Sequence, residues 1–168
     1  MLVLVHPLLF VFPFAMAFAA ATDVFTMTIP NRLNIGLALA FFALAPIAGF
    51  GWQDVLSHMG AGAAMLLVGI LLFSLGWLGG GDAKLLAAAS LWLGLDHLLV
   101  FLTYTAAFGG ALALAILAYR NAPVGALPLP GWAARLHTKG EGMPYGVAIA
   151  AGALFVYPAT IWYTAFTG

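Results

Sequence analysis

The sequence predicts an all-α polytopic membrane protein, a bundle of six transmembrane helices with its N-terminus outside. Three observations lead there. Hydrophobic residues make up 65% of the 168 and charged residues only 6%, whereas soluble domains carry roughly a quarter charged. Apolar runs recur six times along the chain. With the N-terminus outside, all five cations fall in segments on the cytoplasmic side, as the positive-inside rule requires. At this length, residues 1–168 form a single domain.

A spanning helix needs about 20 apolar residues. Leu2–Thr22 meets this, with Pro7 and Pro13 expected to bend it or displace its start. Ala19-Ala20-Ala21 resembles a signal-peptide cleavage site, but the run lacks a basic flank and is long for a signal, so it reads as a retained helix. A polar break is expected from Asp23 to Arg32, then a second span over Leu33–Phe50. Gly51–Met59 reads as a short polar connection, and Gly60–Leu78 as the third span. Ala83–Leu95 is short for a crossing, so its ends are expected to be recessed or the bilayer locally thin. Leu98–Tyr119 is the fifth span, Arg120–Gly142 the one sizeable loop, and Met143–Phe166 the sixth span. The tryptophans read as anchors at the membrane interface.

This topology places Arg32, Lys84, Arg120, Arg135 and Lys139 on one face, and Asp54, His58, Asp96 and His97 on the other, as solvated loop residues. It also brings Asp23 and Asp82 to the same surface. Two adjacent carboxylates cannot both ionise comfortably and share one proton. Such a pair can activate a water with one member and protonate a scissile carbonyl with the other.

Other chemistries fit poorly. The chain has no cysteine, which removes disulfides, thiolate metal sites and cysteine nucleophiles. His6, His58 and His97 face outward and His137 inward, so no metal site is expected from them. Ser74 and Ser90 have no histidine at their depth to act as a base. A net charge of zero argues against a nucleic-acid partner. A proton-coupled transporter or channel subunit is the alternative reading for the acids, although transporters place coupling acids near mid-membrane and show repeated halves.

Gly76-Trp77-Leu78-Gly79-Gly80-Gly81-Asp82 fits a Gly-x-hydrophobic-Gly-x-Gly-Asp pattern, and Asp23 is followed by Ile29-Pro30-Asn31. Together with Pro144-Tyr145-Gly146 at the start of the last span, these stretches resemble the prepilin peptidase family of membrane aspartyl proteases. The order of motifs and the helix count match over essentially the whole chain, in the short form associated with tight-adherence (Flp-type) pili.

The resemblance implies an aspartic endopeptidase with Asp23 and Asp82 as catalytic residues, needing no cofactor. It implies cleavage of the basic leader of prepilins at the cytoplasmic face of a bacterial inner membrane, in the company of the bilayer and the pilus assembly machinery. No methyltransferase activity is implied, because the cysteine-rich loop and methyltransferase segment of longer members are missing. Gly79 and Gly81 then supply room or backbone partners for an extended substrate strand. Glu141 adds negative charge toward a basic leader. Lys84 either tunes the aspartates and the substrate or anchors topology. Pro30 and Asn31 either support the catalytic loop or form a turn. For Asp82 the plainer reading is a helix N-cap.

Overall fold

The computed structural model describes residues 6–123 and 129–167. It is all-α: eight α-helices and two short 3-10 turns among the described residues, with no strand. Residues 2–5 of the expected first span and 124–128 of the expected loop lie outside the described residues.

A 3-10 turn, His6–Phe10, runs into α1, Val11–Thr26. Pro7 lies in that turn and Pro13 in the first turn of α1, where a missing N–H breaks no helical bond. The helix continues past Asp23 and stops where Met27 takes a left-handed conformation, its N–H bonded to the Asp23 carbonyl. Asp23 is therefore not the start of a polar break but a buried residue of the last helical turn. It can stay in the helix because a distant backbone N–H serves its carboxylate, as described below.

Pro30, extended, caps α2, Asn31–Leu44. The next helix, α3, spans Trp52–Ser74 and takes up the stretch expected as a polar connection. Asp54 reaches back to the Gly51 N–H at 2.8 Å and fixes this earlier start. After Gly76, at φ 74°, α4 runs Gly80–Leu93. Gly94, at φ 77°, then turns the chain directly into α5, Leu95–Asn121. The expected loop Arg120–Gly142 contains a short helix α6, Gly131–His137. The last expected span is divided: α7, Tyr145–Val156, ends in a 3-10 turn at Tyr157–Ala159, and Ile161–Thr167 forms α8. Pro158 inside that turn removes the N–H that would continue the helix.

Among the described residues, three helices are long and apolar enough to cross a membrane, Pro7–Thr26, Trp52–Ser74 and Leu95–Asn121. The short α4 is the hub. It packs against α3 most extensively and also against α2, α5 and α7, and ten of its residues are buried. Its length, about 21 Å, suits a helix walled in by others better than one facing lipid.

Two corrections come from the far end of α4. Trp92 and Trp162 are fully buried, not interfacial, although Trp52 and Trp77 are exposed. Their rings lie 4.5 Å apart, and each indole N–H reaches a backbone carbonyl, Leu37 at 2.9 Å and Trp92 at 2.8 Å. His58 is likewise buried rather than solvated. It lies against Gly94, stacks on Phe41 and bonds the Leu91 carbonyl through Nδ1 at 2.9 Å. This aromatic knot locks α2, α3, α4 and the C-terminal segment at the end remote from Asp82. Trp92→Phe is expected to lose the indole bond to the Leu37 carbonyl and to leave a void where the larger ring packed, costing about 1–3 kcal/mol. A thermal midpoint in detergent lowered by several degrees checks this; an unchanged midpoint contradicts it.

Candidate active site

Asp23 and Asp82 reach one site from different helices. Asp23 comes from the last turn of α1, and Asp82 from the first turn of α4, where an acid is favoured by the helix dipole. Both line a cavity of about 230 Å³ with Thr28, Ile29, Asn31 and Gly79–Gly81. Both also line a larger cleft of about 1160 Å³ that runs between α3 and α5 to Glu141, Met143 and Tyr145.

Each carboxylate is seated on a glycine. Asp23 Oδ2 accepts the Gly146 N–H at 2.7 Å, across 123 residues of sequence. A Cβ on Gly146 would lie 2.8 Å from that oxygen and 2.7 Å from Ile29 Cδ1, so only glycine fits. A Cβ on Gly79 would lie 2.7 Å from Asp82 Oδ2. The N-cap of α4 is Gly79, with no side-chain capping bond, so Asp82 is not the N-cap. Its Oδ1 is buried without a hydrogen-bond partner among the described residues.

Gly81 joins the two motifs. Its Cβ position lies 3.3 Å from Ile29 Cβ and 3.4 Å from the Ile29 backbone nitrogen, a close approach that a side chain would push apart. Asn31, opening α2, accepts a hydrogen bond from Lys84 Nζ at 2.8 Å, which ties the same two stretches on the exposed side. Pro30 holds the extended turn ahead of them. Glu141 is exposed at the cleft rim, away from the acid pair's immediate shell, and its carbonyl accepts from Arg120 at 2.8 Å.

Helix α6 is packed against this end. Arg135 on α6 donates to the Phe25 carbonyl at 2.6 Å, Phe25 packs edge-on against Trp132, and Arg120 donates to the Leu136 carbonyl at 2.9 Å. Sequence reasoning picked out Pro144-Tyr145-Gly146 but did not see Gly146 as the donor to Asp23. Nor did it see that the Tyr145 ring lies across Gly109 beside the same cleft. Local sequence holds no signal for either contact, because both are made between helices.

The geometry defines a membrane-embedded helical bundle with two carboxylates at one end, in reach of a common cleft. The chain belongs to the type IV leader peptidase family, whose model matches residues 10–114. It is thus a multi-pass membrane protein and a peptidase with prepilin as the implied substrate. The matched region holds Asp23, the Ile-Pro-Asn turn, the glycine break and Asp82, and ends before Glu141 and Gly146. No curated protein and no solved structure matches the chain.

Proposed function

We propose that this chain is an aspartic prepilin leader peptidase in which Asp23 and Asp82 form the catalytic dyad. The observation that carries the reading is their convergence, from α1 and α4, on one cavity beside the Ile29-Pro30-Asn31 turn. With one proton between them, one carboxylate takes a proton from water as it attacks the scissile carbonyl, and the other protonates the carbonyl oxygen. Collapse of the tetrahedral adduct breaks the C–N bond and returns a proton to the leaving amine.

The surrounding residues take supporting roles. The Gly146 N–H fixes Asp23, and Gly79 and Gly81 leave room for an extended backbone at the cut. Lys84 and Asn31 hold the Ile-Pro-Asn turn against α4. Glu141 on the cleft rim meets a basic leader. The substrates are Flp-like prepilins, supplied beside the pilus assembly machinery, and methylation is no part of the activity.

In this reading six helices cross the bacterial inner membrane, the N-terminus is outside and the dyad faces the cytoplasm. A model substrate with a basic leader and an apolar helix, co-expressed with the chain, tests the activity. It is expected to be cut at the leader junction; an uncut substrate beside folded, inserted protein overturns the proposal. Because the chain has no cysteine, single cysteines can report topology. Thr28→Cys and Lys139→Cys are expected to react with an impermeant maleimide only from the cytoplasmic side, and Gln53→Cys only from the outside. The reverse pattern contradicts the orientation.

A further inference from the structure

Helix α3 is held almost entirely by α4, scarcely touches α2 and makes a modest contact with α5. It therefore has an open groove along each flank. One is the cleft toward α5 that contains the acid pair and Glu141. The other, about 510 Å³, lies between α2 and α3 over α4, with Ala38 and Phe42 on one wall and Ala63 and Leu66 on the other. Its lining is apolar except for Asn31, Asn34 and Lys84.

Asn34 is the anomaly in that groove. It is 93% buried, being 7% exposed, and neither its Oδ1 nor its Nδ2 has a hydrogen-bond partner among the described residues. Burying an amide without partners is costly, and more so away from water. Asn34 stands one helical turn from Asn31, which lines both this groove and the dyad cavity. The groove therefore leads to the carboxylates.

We propose that the α2–α3 groove is the docking site for the apolar helix of the substrate, on the C-terminal side of the cut, with Asn34 bonding a polar or backbone group of that helix. The basic leader lies in the opposite cleft, toward Glu141. This rests on the peptidase reading above and adds an orientation to it. Charge sets the direction: among the described residues, Lys84 is the one charged group lining the α2–α3 groove and repels a basic leader, whereas the other cleft sets Glu141, Asp23 and Asp82 against the single cation Arg135 and stays negative. The apolar walls suit a hydrophobic helix, and the dyad cavity lies between the two grooves, bordering the first at Asn31 and the second at Asp23 and Asp82, where the chain must be extended.

Crosslinking tests the assignment on the full-length protein in membranes. The substrate is the model protein with a basic leader and an apolar helix, carrying one cysteine in either part. Ala38→Cys and Ala63→Cys are expected to capture the helix cysteine, and Met143→Cys the leader cysteine. Capture of the helix cysteine by Ala106→Cys in the other cleft overturns the proposal. So does capture no stronger than at the peripheral position Leu114→Cys, or no capture at all, either of which leaves the groove to lipid. Capture is read on cut and uncut substrate alike, so it stands apart from whether Asp23 and Asp82 cleave. Asn34→Leu is expected to raise KM about five-fold with kcat retained, as for loss of one hydrogen bond. An unchanged KM removes Asn34 from the proposal.

Discussion

Asp82→Asn is expected to lower leader cleavage by about 10³–10⁴-fold, and Asp23→Asn by a similar factor, with insertion and protein level unchanged. Asparagine keeps the shape of aspartate but can neither take nor give the proton. The two positions differ in what else they lose. Asp23 is 5% exposed and holds the Gly146 N–H, a bond that an asparagine oxygen can still accept. Asp82 has one oxygen against Gly79 and one without a partner among the described residues. Neither substitution opens a void or removes a packed side chain. A large loss of cleavage with an unchanged thermal midpoint therefore separates chemistry from folding. Retained cleavage in either variant removes that residue from the dyad.

Gly146→Ala is expected to lower cleavage by about 10²-fold while the chain still inserts. The added methyl would sit 2.8 Å from Asp23 Oδ2 and 2.7 Å from Ile29 Cδ1, so α7 must retreat or both neighbours must move. Either response lengthens the bond that fixes Asp23 and shifts the turn leading to Asn31. A misplacement of about 1 Å at reacting groups is enough for a loss of that size. The methyl itself is tolerated by a helix, since alanine is a better helix former than glycine. Gly110→Ala on α5, where a Cβ meets nothing within 4 Å, serves as the control and is expected to leave the rate unchanged. Equal rates for Gly146→Ala and wild type contradict the positioning of Asp23 by this backbone N–H.

The candidate site and the fold are legible in the sequence to different degrees. Asp82 was legible because glycines and an acid interrupt hydrocarbon, and Asp23 because it precedes a proline turn on the same side. Helix class and approximate limits followed from apolar runs whose length the bilayer fixes. Helix ends did not follow so well. Asp23 reads as the end of a span when only its own cost is counted, yet a donor 123 residues away lets the helix run on.

The same cause misplaced His58 and Trp92. Each looks like a boundary residue by type, and each is buried because another helix supplies a carbonyl, Leu91 for the imidazole and Leu37 for the indole. A single sequence carries no local trace of such partners. The glycines are the partial exception. Gly81 and Gly146 mark close approaches, although only the structure says that both approach Ile29.

Cleavage of one prepilin-type substrate by wild type, Asp23→Asn, Asp82→Asn and the double variant, in matched membranes, tests the dyad most directly. Groups acting as a unit are not additive, so the three variants are expected to fall to the same background. A single variant within ten-fold of wild type, or a double variant slower by the product of the two single losses, would contradict a dyad of Asp23 and Asp82.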